Sequence, residues 1–248
     1  MRDLTYPPII ATAKVAFKLL GLRFDMRGTE HVPRSGGALL VYNHVSYVDF
    51  ILGGLAANPS GRLVRFMAKR EVFDHRWTGP VMRSMHHIAV DRAEGVASYD
   101  EGVRVLRAGE IVGIFPEATI SRSFELKEFK TGAARMAIDA QVPIIPLIVW
   151  GAHRRWTKDH PRRLVRGKIP FTVVVGAPVP PAENVAQTDA AMREAMTVLL
   201  HRAQESYEHP EGAYWVPRRM GGSAPTLDEA KVLDEAELAE RARREQQA

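Results

Sequence analysis

The sequence predicts an α/β protein: a mostly parallel central sheet flanked by helices, with an N-terminal amphipathic helix and a charged C-terminal helical tail. Three observations point there. Short apolar runs recur, among them Ala38–Tyr42, Leu63–Ala68, Ile111–Phe115 and Val142–Trp150, as expected of strands buried on both faces. Segments of helical period alternate with them, which is the order of strand–helix–strand units. The joints carry glycine, proline and asparagine.

Taken in order, Pro8–Leu20 has apolar residues at helical spacing with Lys14 and Lys18 on another side. Such a helix either rests in a membrane interface or packs on a core. Leu22–Arg27 alternates as a half-buried strand does. Phe50–Ala57 reads as a helix stopped near Asn58-Pro59, and Arg76–Met85 as another. His87–Val90 is a short strand, and Gly95–Arg107 is an amphipathic helix ended by Gly109. Lys130–Ala140 is helical with small residues for close packing. Pro143 and Pro146 argue that the Val142–Trp150 strand is bent or lies at an edge. Phe171–Val175 is a further strand and Gln187–Tyr207 a long helix. Residues 209–225 are rich in Gly and Pro and read as a linker or a draped loop. The tail, 227–248, carries seven acids and four bases in a helical pattern. It is either solvated or packed on a partner.

At 248 residues the chain can bury a sizeable core. It has no cysteine, which removes disulfides, thiolate metal sites and any cysteinyl thioester intermediate. Net charge is +5 with a pI near 9.6, so an anionic partner is expected. Much of that charge lies in residues 153–168, where seven bases meet one acid. With Trp150 and Trp156 nearby, this is either a patch for anionic lipid headgroups or an acidic carrier, or a solvated loop. Stacking motifs of single-strand binders are absent, so nucleic acid is not the expected partner. No stretch reaches the roughly 18 apolar residues of a spanning helix, and no signal peptide is evident.

The candidate polar groups fall at the ends of the inferred strands. His44 and Asp49 follow Ala38–Tyr42, Lys69 and Arg92 follow the next two strands, and Glu117 with Thr119 follows Ile111–Phe115. Ligand crevices of open α/β sheets lie at that edge. A histidine and a carboxylate five positions apart there are either a base with its orienter or a turn histidine with a first-turn helix acid. Ser46 reads as an N-cap or, less readily, as a nucleophile. Lys69, Arg92 and Lys130 suit a phosphate.

Four blocks resemble the glycerophospholipid acyltransferase family, the group of the 1-acyl-sn-glycerol-3-phosphate acyltransferases. Asn43-His44-Val45-Ser46-Tyr47-Val48-Asp49 is similar to its Asn-His-x-Ser-x-x-Asp block with the His-x4-Asp core. His87–Arg92 is similar to its apolar run ending in arginine. Phe115-Pro116-Glu117-Ala118-Thr119-Ile120-Ser121 matches Phe-Pro-Glu-Gly-Thr-x-Ser, and Val142–Pro146 matches Val-Pro-Ile-x-Pro. Lys69 stands where the family usually carries a lysine. The match covers about residues 25–180.

The resemblance implies an O-acyltransferase domain over residues 22–208, between an interfacial helix (1–21) and a linker with a charged tail (209–248). It implies that His44 takes the acceptor's hydroxyl proton and Asp49 holds its ring, with Lys69, Arg92, Glu117, Ala118, Thr119 and Lys130 around the substrate. Backbone N–H groups of the Phe115–Thr119 turn are expected at the oxyanion. The partners implied are an acyl thioester of coenzyme A or an acyl carrier protein, a glycerophospholipid acceptor and an anionic membrane surface. No metal or cofactor is implied. The location implied is peripheral, on the cytoplasmic side of the cell membrane. Two departures stand out. Ala118 replaces a glycine, and Ile120 replaces an arginine associated with the substrate phosphate, for which Arg122, Lys127 or Lys130 can substitute.

Overall fold

The structure is a computed structural model and describes residues 3–91, 95–163 and 169–246. Helix α1 (Tyr6–Leu19) leads into β1 (Arg23–Arg27) and β2 (Ala38–Tyr42). Then come α2 (Asp49–Ala56), β3 (Val64–Lys69), α3 (Arg70–Asp74), α4 (Thr78–Ser84) and β4 (Ile88–Val90). Next are α5 (Gly95–Arg107), β5 (Ile111–Ile114), α6 (Gly132–Ala140) and β6 (Ile144–Trp150). The chain closes with β7 (Pro170–Val175), α7 (Val185–Glu205) and α8 (Leu227–Gln246).

The seven strands form one sheet in the order β1-β7-β6-β2-β5-β3-β4. All neighbours are parallel except β6 and β7. Strands β2 to β6 therefore share one direction, and their carboxyl ends share one edge. Strand β2 is central and all five of its residues are buried. Its alternate side chains serve the two faces, as the strand period demands. Leu39 and Val41 join Val103, Leu106, Ala137 and Met196 beneath α5, α6 and α7. Ala38, Leu40 and Tyr42 join Leu52, Ala56 and Phe66 beneath α2. Gly53 permits that second packing, because a Cβ there would sit 2.1 Å from the Tyr42 ring. Close seating of α2 on Tyr42 fixes where its first residue, Asp49, stands.

The proline-bearing strand is not at an edge. β6 lies between β2 and β7 and is wholly buried. Its one proline, Pro146, is accommodated by a break in the ladder. Ile144 pairs with Val179, the Pro146 carbonyl accepts from the Gly176 N–H, and regular pairing with β7 begins only at Leu147. The missing proline N–H falls opposite that break.

Helix α1 packs on the domain on one side. The Tyr6 hydroxyl donates to the Val64 carbonyl at 2.8 Å, and Phe17 meets Phe24 at 5.3 Å between ring centroids. Its outer side exposes Val15 and Leu19, with Leu4 just before it. Residues 209–225 are draped rather than free: Trp215, Val216 and Ala224 are buried. The first part of the basic segment is packed, whereas Asp159 and residues 161–163 are exposed. His153, Arg155 and Thr157 are buried, and Arg154 lies 4.4 Å over the Trp215 ring. Arg166 and Lys168 lie outside the described residues.

Candidate active site

The chain leaves β2 at Tyr42 and enters α2 at Asp49, and the six residues between form the turn. Asn43 extends the ladder with its side chain. Its Nδ2 donates to the Val149 carbonyl (3.0 Å) and its Oδ1 accepts from the Val149 N–H (2.7 Å). This bidentate pair imitates one more step of β2 against β6 and anchors the base of the turn. His44 then stands at the carboxyl edge of the sheet, its side chain 21% exposed.

Asp49 is fully buried and folds back under the turn. Its Oδ2 accepts from His44 Nδ1 (3.1 Å), the Val45 N–H (2.7 Å) and the Ser46 N–H (2.6 Å). Burial pushes its carboxyl above the usual range, while the His44 bond and the two backbone N–H groups oppose that shift. Three donors on one oxygen favour the carboxylate. With Nδ1–H given to Asp49, the imidazole lone pair is on Nε2. Among the described residues Nε2 makes no hydrogen bond. The ring also stacks on Phe115, with centroids 4.2 Å apart. Both contacts hold it in one orientation.

The segment after β5 supplies a second brace. Glu117 is buried and bridges two backbone donors, the His44 N–H at 2.8 Å and the Lys127 N–H at 3.0 Å. The Ser121 N–H donates to the His44 carbonyl at 2.7 Å, and the Lys130 N–H closes the loop onto the Pro116 carbonyl at 2.9 Å. Burial pushes the Glu117 carboxyl up to about 7, against the pull of the Lys127 and His44 N–H groups. Both of its oxygens thus shape the His44 turn.

Ala118 has φ of +60°, the left-handed region that suits the glycine of the resembling block. Around it the Ala118 N–H donates to the Phe115 carbonyl and the Thr119 N–H to the Glu117 carbonyl. The Ala118 and Thr119 N–H groups are thus used within the turn itself. Thr119 accepts from Lys127 Nζ at 2.6 Å.

Ser46 is neither an N-cap nor presented to the cleft. Its Oγ is buried and donates to the Trp156 carbonyl at 2.6 Å, while α2 has no side-chain cap. The Tyr47 N–H donates to the same carbonyl, and Thr157 Oγ1 donates to the Val45 carbonyl at 2.8 Å. Residues after β6 thereby grip the turn from a third strand end.

Lys69 ends β3 and is exposed, and Lys130 is exposed just before α6. Arg92 lies outside the described residues. Ile120 is buried, 3% exposed. The roles of Phe115, Trp156 and Thr157 are not legible in the sequence, because each depends on a meeting of distant segments. No group of acids and histidines able to hold a metal occurs among the described residues.

Residues 23–150 match the Acyltransferase family. A 1-acyl-sn-glycerol-3-phosphate acyltransferase of Bacillus subtilis is 28% identical over 192 residues, 75% of this chain and 94% of that protein. One of Limnanthes douglasii is 34% identical over 166 residues, but only 56% of its length is spanned. The human alpha form is 30% identical over 188 residues, 65% of its length. Among solved structures, the 1-acyl-sn-glycerophosphate acyltransferase PlsC of Thermotoga maritima has the same fold, with a TM-score of 0.69. It is 21% identical, over 82% of this chain and 81% of that one. The matched region holds strands β1 to β6, the His44 turn and the Glu117 brace together, and the chain belongs to the Acyltransferase family.

Proposed function

We propose that the chain moves a fatty acyl group from a thioester to the free hydroxyl of 1-acyl-sn-glycerol 3-phosphate, giving phosphatidic acid. The observation that carries this is the His44–Asp49 pair, with Nδ1 engaged and Nε2 left for a hydroxyl at the cleft edge. Family membership and the names of the relatives support the acceptor.

The acceptor oxygen attacks the thioester carbonyl while His44 Nε2 takes its proton. Asp49 stabilises the imidazolium, as the acid of a serine-hydrolase triad does. The tetrahedral intermediate collapses, the carbon–sulfur bond breaks, and the thiolate takes the proton back from His44. The ester formed and the thiol released balance the reaction without a cofactor. The thiol belongs to coenzyme A or an acyl carrier protein. Lys69, Arg92 and Lys130 serve the anionic parts of the substrates.

Among the described residues no helix is long and apolar enough to cross a membrane. The exposed Val15 and Leu19 of α1, beside Lys14 and Lys18, suit a peripheral seat on an anionic bilayer, which we place on the cytoplasmic side. Exposed Val72, Trp77 and Val81 of the α3–α4 region suit the same surface.

The test is a panel of acceptors with one palmitoyl thioester and positional analysis of the product. Lysophosphatidate should be the best acceptor, and His44→Ala should lose at least about a hundredfold of the rate. Retention of more than a tenth of the rate would remove His44 as the base.

A further inference from the structure

Three cations beside the catalytic turn are neutralised by a helix that barely touches the domain. Arg122 and Lys127 come from the loop between β5 and α6, and Lys158 comes from the segment after β6. Arg122 is buried, 8% exposed, and is shared between Asp159 (2.5 Å), Glu237 (2.8 Å) and Asp234. Lys127 pairs with Asp234 and with Thr119 Oγ1. Lys158 pairs with Glu237 at 2.8 Å and Asp234 at 3.5 Å. Asp234 and Glu237 lie three residues apart on α8 and so project from one face.

The hold of α8 on the domain is mostly charge. Among its described residues Ala230 alone is buried, and from 231 to 244 every residue except Asp234 is exposed. Leu238 faces solvent, and Leu233 remains 45% exposed. Two further pairs, Arg218–Glu229 and Arg241–Glu71, are exposed, and exposed ion pairs stabilise by only about 0–1 kcal/mol each. The hold of α8 therefore rests chiefly on the shielded pairs of Asp234 with Arg122, Lys127 and Lys158, where a competing anion would act. Between α8 and the domain lies a cavity of about 340 Å³, lined by Tyr47, Arg122 and Lys158 on one side and Leu233, Ala236 and Glu237 on the other. Tyr47 belongs to the catalytic turn. Lys127 is tied to the same turn, since its N–H and that of His44 share the Glu117 carboxylate.

With α8 away, the cluster keeps three cations against Asp159. The two α8 carboxylates supply the charge that balances it. A phosphate monoester supplies about the same charge, −1.5 to −2 at pH 7, on three strong acceptor oxygens. We propose that Arg122, Lys127 and Lys158 form a phosphate-monoester site beside the catalytic turn, and that Asp234 and Glu237 of α8 are its resident counter-ions, so that phosphate and α8 compete for it. The inference deepens the acceptor reading above and rests on it for the identity of the phosphate bearer.

The test measures binding of glycerol 3-phosphate and inorganic phosphate to the full chain by calorimetry, independently of turnover. Asp234→Asn combined with Glu237→Gln should tighten binding about tenfold, and Lys158→Gln should weaken it about tenfold. Phosphate should also speed amide exchange across residues 231–244 beyond sodium chloride at equal ionic strength. Unchanged affinity in the double variant, or unchanged exchange, overturns the proposal. Arg122→Gln assigns the source. A raised KM for lysophosphatidate alone places the acceptor's phosphate there, and a raised KM for palmitoyl-coenzyme A alone places the donor's 3′-phosphate there. No change in either overturns the site. If the chain proves inert towards lysophosphatidate yet the calorimetric shifts appear, only the acceptor reading falls.

Discussion

Replacing Glu117 with glutamine should remove a pH-dependent part of the chain's stability. Burial holds the Glu117 carboxyl near 7 in the fold, against 4.5 for an ordinary glutamate. Between those values the folded chain keeps a proton that the unfolded chain has released. Stability contributed by this group is therefore full below pH 4.5 and is lost as pH rises through about 7. The difference of about 2.5 units, at 1.36 kcal/mol each, is about 3 kcal/mol. Glutamine does not titrate. The stability of the wild type minus that of Glu117→Gln should fall by about 3 kcal/mol between about pH 4 and pH 8. Urea unfolding at the two pH values measures it, and other titrating groups cancel in the difference. A difference constant to within about 1 kcal/mol would refute the burial of an ionisable brace at this position.

Three further outcomes follow from the same geometry. Asp49→Asn should cut the rate by about a hundredfold or more with little change in KM, since the substitution disturbs the His44 tautomer rather than substrate contact; steady-state kinetics reads the split. Asn43→Ala leaves the buried Val149 N–H and carbonyl without partners, which should destabilise by about 2–4 kcal/mol in chemical denaturation. Ala118→Gly removes the strain of a Cβ at φ +60°, so the melting temperature should rise or stay level, by up to about 1 kcal/mol in stability after the entropy of glycine is subtracted.

The sheet was legible because its strands are buried on both faces and so read as apolar runs. The contact of His44 with Asp49 was legible because both members sit within one turn. What escaped had a different physical character. Pro146 reads as an edge signal, yet it lies in the interior, because its nitrogen falls opposite a break in the ladder with β7 that no local pattern encodes. Helix α3, only five residues long, is too short to show a period. The grip of Trp156 and Thr157 on the turn joins segments 110 and 112 residues apart. The acids of α8 were visible as a charge pattern, but their targets were not, since an ion pair leaves no trace in the spacing of either partner.

Ile120 shows why the family's arginine cannot simply be put back. Its side chain is buried, while the cations that resemble a replacement stand two and seven residues later, at Arg122 and Lys127. The loop is pinned on either side of position 120 by the Glu117 carboxylate and by the Ser121 N–H on the His44 carbonyl. It has little freedom to turn that position towards the cleft. Ile120→Arg would put a guanidinium into the buried niche of Ile120, two residues before Arg122 in the chain. Removing an apolar side chain and burying an unpaired charge each destabilise, and the sum should be at least about 3 kcal/mol. The KM for lysophosphatidate should not fall. A variant that melted as the wild type does and bound the acceptor more tightly would show that the niche opens to the cleft, and the phosphate would then belong at position 120 rather than with Arg122, Lys127 and Lys158.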